Sequence, residues 1–115
     1  MKHPYLDSPF SFKIFAHRGL IYTGNAVTFD ENTIPAFSAA LAAGAHYLEL
    51  DVQSSKDGVA IVFHDESLDR VSEQTGQLSE KTWIELQKVK LNLGGTIPTL
   101  DQVLETFPNS KINID

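Results

Sequence analysis

Residues 45–52 read AHYLELDV, and this stretch decides how the chain folds. From Tyr47 onward polar and apolar residues alternate, which is the pattern of a β-strand buried on one face. The two leucines and Val52 lie on one face of that strand, whereas Glu49 and Asp51 lie on the other. The stretch therefore predicts a strand that packs against helices on one side and presents two carboxylates on the other.

Strand-like and helix-like segments alternate along the rest of the chain. Further strands are predicted at 12–16, 59–63 and 111–115, and helices at 33–43, at 79–90 and from residue 99 onward. Asn32 or Thr33 can cap the first helix and Ser79 the second, while Thr99 and Gln102 form a capping box for the third. Such alternation is typical of an α/β domain built on a parallel sheet.

The short segment 53–58 leaves two arrangements of the next strand open. Six residues are too few for the crossover that parallel neighbours need, and the Asp-Gly pair at 57–58 is a strong turn signal. A hairpin about Asp57 would set His64 beside Leu50 or Asp51. A further parallel strand would also bring His64 to the acidic pair, so the sequence allows both.

Composition excludes several classes of protein. The 115 residues carry a formal net charge of −6, which argues against nucleic acid as the main partner. With no cysteine, the chain holds neither a disulfide scaffold nor a thiol catalyst. We find no signal peptide and no apolar stretch long enough to enter a membrane stably, so we expect one small domain in the cytoplasm.

Polar residues recur where each predicted strand ends. They are His17 and Arg18, Glu49 and Asp51, His64 and Asp65, and Asn113 and Asp115. In parallel α/β folds the active site assembles at the carboxyl ends of the strands. This pattern predicts a site at that edge.

Glu49 and Asp51 are the most informative pair. If their face lies inside the protein, two close carboxylates need a cation, and oxygen ligands suit Mg²⁺ or Ca²⁺ better than Zn²⁺. The alternative is a solvated strand with two surface acids. His17 and His64 are candidate general acids or bases and Arg18 a candidate phosphate ligand, although each has an ordinary structural alternative.

Taken together, the motifs resemble those of the glycerophosphodiester phosphodiesterases. The segments that carry the resemblance are His17-Arg18-Gly19, Glu31-Asn32-Thr33, Glu49-Leu50-Asp51-Val52, Lys56-Asp57-Gly58, His64-Asp65, Ile97-Pro98-Thr99-Leu100 and Ile112-Asn113-Ile114-Asp115. The resemblance implies a TIM barrel, (β/α)₈, that hydrolyses glycerophosphodiesters, small soluble molecules, to glycerol 3-phosphate and an alcohol.

The resemblance also implies roles for individual residues. His17 and His64 would be the general acid and base, and Arg18 would hold the phosphate. Mg²⁺ or Ca²⁺ would be bound by Glu49, Asp51 and Asp115, the last of which stands where the family most often has Glu. The chain departs from the family in a long loop, 20–30, and in Asp30, which replaces a proline, so Glu31 is expected to cap the helix and anchor the loop.

Length is the third departure, because a complete barrel needs about 250 residues. We therefore expect residues 1–115 to be the first half of one truncated domain: an engineered truncation, a proteolytic fragment, or a half that pairs with another chain. Its open sheet edges predict self-association. The rival hypotheses are an inactive fragment, an interaction module that keeps the fold, and a phospholipase-like phosphodiesterase acting on lysophospholipids or phosphoinositides.

Overall fold

The computed structural model describes residues 7–8, 11–12, 15–19, 22–23 and 26–115, with side chains for residues 18, 19 and 28–115. The strands are β1 Asp7–Ser8, β2 Ser11–Phe12, β3 Phe15–His17, β4 Tyr22–Thr23, β5 Ala26–Val27, β6 Tyr47–Leu50, β7 Val52–Ser54, β8 Ala60–Val62 and β9 Lys111–Ile114. The helices are α1 Ile34–Ala42, α2 Trp83–Leu86 and α3 Leu100–Thr106, and a 3₁₀ turn spans Leu78–Glu80. Part of the predicted strand 12–16 falls on residues 13 and 14, which lie outside the described residues.

Three strands form the parallel sheet that the sequence predicts. Their order is β3-β6-β9, so β6, the strand of the decisive stretch, lies in the middle. The register pairs His17 with Glu49 and Glu49 with Asn113. Helices α1 and α3 precede β6 and β9 along the chain, as in βαβ units. The carboxyl ends of all three strands therefore meet at one edge.

The hairpin alternative is correct, and a further parallel strand is not formed. Strands β7 and β8 pair antiparallel, with Val52 opposite Val62. The amide of Phe63 donates to the carbonyl of Asp51 at 2.9 Å, which extends the pairing by one step. The hairpin forms because the segment between the two strands is too short for a parallel crossover connection and contains an Asp-Gly turn.

Two helices begin where their capping residues predict. The hydroxyl of Thr33 accepts from the amide of Ala36 at the start of α1. At the start of α3, Thr99 and Gln102 form the expected reciprocal capping box. Both helices follow local signals that need no tertiary contact.

The predicted helix 79–90 is wrong. The chain makes the 3₁₀ turn, extends at Lys81, and starts the four-residue α2 with Thr82 as its cap and Glu85 completing a capping box. Val89, beyond the end of α2, is buried among other apolar side chains. Competing caps and tertiary packing override the helical spacing of the apolar residues.

Two buried clusters make up the core. The first lies between the sheet and its helices and contains Phe37, Ala40, Leu48, Leu50, Val62 and Val103. The second belongs to the segment between β7 and α3, residues 55–99, hereafter the insertion. It contains Ile61, Phe63, Leu68, Leu78, Leu86, Val89, Leu91 and Ile97.

Strand β8 joins the two clusters. Successive side chains of a strand point to opposite faces, so Ile61 packs into the insertion whereas Val62 packs against the sheet region. Both residues are fully buried. The insertion is thereby fixed against the edge of the sheet that carries the polar strand ends.

Candidate functional site

Three carboxylates meet at the carboxyl edge of the sheet. Glu49, Asp51 and Asp115 each offer an oxygen within 4.8 Å of the other two. The backbone brings them together, because the amide of Asp115 donates to the carbonyl of Leu50 at 2.8 Å. Asp51 is buried, Glu49 half-buried and Asp115 exposed. Glu49 of β6 and Asp51, which follows that strand, thus share one side, and Asp115 reaches them despite its short side chain.

The buried carboxylate of Asp51 is held from two sides. The side-chain amide of Asn32 donates to its Oδ2 at 3.1 Å, and Nε of Arg18 lies 3.5 Å from the same oxygen. Among the described residues, that buried Nε has no hydrogen-bond partner. Arg18 therefore places its Nε beside the acidic cluster.

The turn at Arg18 and Gly19 follows β3 directly and needs unusual backbone geometry. Arg18 has φ +58° and Gly19 φ +86°. The amide of Arg18 donates to both the carbonyl and the carboxylate of Glu49. A Cβ on Gly19 would lie 2.8 Å from the Cβ of Ala36, so only glycine lets α1 approach this turn.

A chain of ion pairs runs outward from Arg18 to His64. Arg18 Nη1 lies 3.3 Å from Glu31, whose other oxygen is 2.8 Å from Nη1 of Arg70. Arg70 in turn donates two hydrogen bonds to the carboxylate of Asp65, from Nε at 2.7 Å and from Nη2 at 3.1 Å. Asp65 then lies 2.7 Å from Nδ1 of His64. The insertion is linked to the sheet region through these charges.

His64 is held in place by the residues around it. Because the Asp65 carboxylate can only accept, neutral His64 carries its proton on Nδ1 and leaves Nε2 as the basic nitrogen. The hydrogen bonds from Arg70 lower the pKa of Asp65 to about 2, so that carboxylate stays ionised. The amide of Gln53 donates to the carbonyls of Phe63, His64 and Asp65.

His17 is placed only through its backbone. It ends β3 and pairs with Glu49, at the edge where the acids lie. Its side chain falls outside the described residues, so its role as partner of His64 stays a prediction.

Sequence reasoning missed three residues of this region. The sequence patterns assign no role to Arg70 or Gln53. They offer Asn32 as a helix cap and as part of a family motif but do not predict its contact with Asp51. One signal for Arg70 was available: the chain has only two arginines, and this one follows His64 by a few residues. Glu31 does not cap the helix as expected, because Thr33 is the cap of α1, and it pairs instead with both arginines.

The acidic cluster fits a hard divalent cation. Oxygens bound to Mg²⁺ or Ca²⁺ at about 2.0–2.6 Å lie about 3–5 Å from one another. The three carboxylate oxygens satisfy that spacing. Three carboxylates repel one another, and a cation among them relieves this repulsion.

An open depression of about 510 Å³ borders the cluster. It is lined by Glu49 and by residues 112–115, at the carboxyl end of β9.

Over the part of the chain that the structure describes, no helix is long and apolar enough to cross a bilayer.

Comparison with known proteins gives a consistent result. The model of the glycerophosphoryl diester phosphodiesterase family matches residues 17–115. A glycerophosphodiester phosphodiesterase of Bacillus altitudinis is 44% identical over 100 residues, which cover 81% of this chain and 39% of the relative. The chain thus spans well under half of that curated relative.

Solved structures agree. A glycerophosphodiester phosphodiesterase from Agrobacterium tumefaciens is 36% identical with a TM-score of 0.77, over 89% of this chain and 46% of that one. A phosphodiesterase from Oleispira antarctica, solved with the product sn-glycerol-3-phosphate, is 28% identical with a TM-score of 0.77, over 89% and 43%. The neighbours are TIM barrels, so the predicted fold class, part of such a barrel, is confirmed.

Proposed function

The chain belongs to the glycerophosphoryl diester phosphodiesterase family, and on that premise we propose that the full-length protein hydrolyses glycerophosphodiesters to glycerol 3-phosphate and an alcohol. The observation that carries the proposal is the cluster of three carboxylates beside Arg18, at the carboxyl edge of a parallel sheet. The product bound in the Oleispira antarctica neighbour supports the same substrate class.

In this proposal Glu49, Asp51 and Asp115 hold Mg²⁺ or Ca²⁺. Once held there, such an ion would supply Lewis-acid polarisation of a phosphate oxygen and would make a neighbouring hydroxyl group more acidic. Asn32 fixes the carboxylate of Asp51 through its hydrogen bond, so that ligand does not have to be reoriented when substrate arrives.

Arg18 binds the phosphate of the substrate. Its Nε lies 3.5 Å from Oδ2 of Asp51, beside the acidic cluster, and an arginine fork matches the oxygens of a phosphodiester. Its ion pair with Glu31 at 3.3 Å is long enough to be exchanged for a substrate oxygen. The guanidinium then offsets negative charge that grows on phosphorus-bound oxygens during the displacement.

His17 and His64 move the protons. One imidazole takes the proton of the attacking glycerol hydroxyl as its oxygen bonds to phosphorus, and the other gives a proton to the alcohol oxygen whose bond to phosphorus breaks. Water then attacks the resulting cyclic phosphate and opens it to glycerol 3-phosphate, with the two imidazoles exchanging roles. The Asp65 contact leaves Nε2 of His64 as the nitrogen that exchanges this proton.

A second candidate substrate class is lysophospholipids. A human lysophospholipase D is 33% identical to this chain over an alignment that covers all of it and 41% of the relative. Its reaction would use the same site residues on a substrate with an acyl chain. Parallel assays on glycerophosphocholine and lysophosphatidylcholine separate the two classes, since only the second depends on the acyl chain.

The test is a metal-dependent assay of glycerol 3-phosphate release. The full-length protein and the 115-residue chain are each assayed on glycerophosphocholine, after EDTA treatment and again after addition of Mg²⁺ or Ca²⁺. We expect the full-length protein to lose activity with EDTA and regain it with the ion. Absence of hydrolysis in every condition, or full activity in EDTA, would contradict the proposal. Activity confined to the full-length protein would make the shorter chain the inactive fragment considered above.

A further inference from the structure

Arg70 occupies a central position between the two parts of the molecule. Its guanidinium contacts Asp65 of the insertion through two nitrogens, at 2.7 and 3.1 Å, and Glu31 of the sheet region through a third, at 2.8 Å. Asp65 touches His64, and Glu31 touches Arg18. Arg70 thereby contacts Asp65, which is the partner of His64, and Glu31, which is a partner of Arg18.

The backbone around Arg70 is itself fixed. Its carbonyl accepts a hydrogen bond from the side-chain amide of Asn92 at 3.1 Å, and the amide of Ser72 donates to Leu68. The carboxylates it grips are well covered, since the side chains of Glu31 and Asp65 are 13% and 22% exposed. A bidentate contact to a sheltered carboxylate holds both groups in one orientation.

We propose that Arg70 is a positioning residue with two roles. It orients His64 through Asp65, and by pairing with Glu31 it limits how strongly Glu31 competes with the phosphate for Arg18. This inference rests on the proposed function, because it assigns Arg70 to the same site. It gives one residue two separable effects.

The effect on His64 is geometric. Without Arg70, Asp65 is free to rotate away from Nδ1, and the imidazole loses the contact that fixes its tautomer and ring plane. A misplaced proton-transfer group lowers kcat more than it changes substrate binding.

The effect on Arg18 is electrostatic. Glu31 lies closer to Arg70, at 2.8 Å, than to Arg18, at 3.3 Å. Once Arg70 is removed, Glu31 is left to pair with Arg18 alone, and the phosphate must compete with that carboxylate. This change raises KM.

The experiment compares Arg70→Met and Arg70→Lys in the full-length protein, with Lys88→Met as a matched control at an exposed cation of the insertion. We expect Arg70→Met to lower kcat about 100-fold and to raise KM. Lysine keeps the charge but not the fork, so it restores KM more fully than kcat. The control should match wild type.

Two further measurements separate positioning from simple loss of structure. Ring-nitrogen NMR shifts of His64 should change in Arg70→Met, and the kcat of Asp65→Asn should fall little further when Arg70→Met is added. The proposal is overturned if Arg70→Met keeps kcat within twofold of wild type or leaves the His64 shifts unchanged. It is also overturned if the double variant loses kcat by the product of the factors measured for Asp65→Asn and Arg70→Met alone. Should Arg70→Met fail to fold, the same criteria apply to Arg70→Lys and Asp65→Asn. The NMR outcome needs no activity, so it stands even if the protein hydrolyses no glycerophosphodiester.

Discussion

The sheet region and the insertion place their functional groups by different means. In the sheet region, Glu49 and Asp115 are set by strand register, with backbone hydrogen bonds fixing which residues meet. In the insertion, His64 lies beyond the end of β8; the Asp65 carboxylate contacts its ring and the side chain of Gln53 donates to its carbonyl. A register cannot slip without moving a whole face of a strand, whereas a side-chain contact can be lost one residue at a time. Substitutions should therefore act more locally in the insertion.

Replacing either proposed catalytic histidine should have the largest effect, and it tests whether both regions contribute to catalysis. His17 ends a sheet strand and His64 belongs to the insertion, and replacing either by alanine should lower turnover about 10²–10⁴-fold while leaving the fold intact. Glycerol 3-phosphate release and circular dichroism measure the two properties. His46→Ala, at an exposed position, is the matched control. Near-normal turnover in His17→Ala and His64→Ala would remove the acid–base pair.

The next largest effect tests whether the two cores are separate. Leu78 is fully buried in the insertion, so Leu78→Ala should lower the free energy of unfolding by about 2–5 kcal/mol. Hydrogen exchange should accelerate at amides of the insertion and much less in β6. Leu104→Ala, at a side chain that is 41% exposed, should cost far less. Equal acceleration in both regions would show that they form a single cooperative unit.

A smaller effect tests the close approach of α1 to the Arg18 turn. Gly94→Ala should cost about 1 kcal/mol for its positive φ alone, because a Cβ there meets no atom of the described residues within 4 Å. Gly19→Ala has nearly the same φ and should cost about 1–3 kcal/mol more, because its Cβ meets Ala36. Urea denaturation measures both, and equal costs would mean that α1 does not pack against this turn.

The smallest effect is the pH dependence that Asp65 contributes. Its pKa is about 2 in the folded protein and near 3.9 when unfolded, so its stabilisation is present above about pH 4 and is lost as the pH falls toward 2. Between those values, wild type should lose more stability than Asp65→Asn. Urea midpoints at pH 5 and pH 2.5 measure this difference, and parallel losses would contradict the ion pair with Arg70.

The difference between placement by strand register and placement by side-chain contacts also explains which features could be predicted from the sequence. Alternation at 45–52 predicts the strand and the common side of Glu49 and Asp51, because it depends on near neighbours. The Asp-Gly pair signals the turn of the observed hairpin, but the sequence alone left a further parallel strand equally open. The helix expected at 79–90 failed because Thr82 with Glu85 starts a new helix and the insertion buries Val89.

The contacts of Arg70 could not be predicted from local patterns. Glu31 and Arg70 are far apart in the sequence, and only the folded insertion brings them together. The same holds for Asn32, whose contact with Asp51 requires β6 and the start of α1 to be in place.

Calorimetric titration of the full-length protein with Mg²⁺ and with Ca²⁺ measures whether Glu49, Asp51 and Asp115 together bind a divalent cation. Wild type should bind one ion, and Glu49→Gln should weaken the affinity at least about tenfold. Glu80→Gln, at an exposed acid of the insertion, should leave the affinity unchanged. Excess ion should partly restore activity in Glu49→Ala. No binding by wild type, or equal affinities for wild type and Glu49→Gln, would contradict the account.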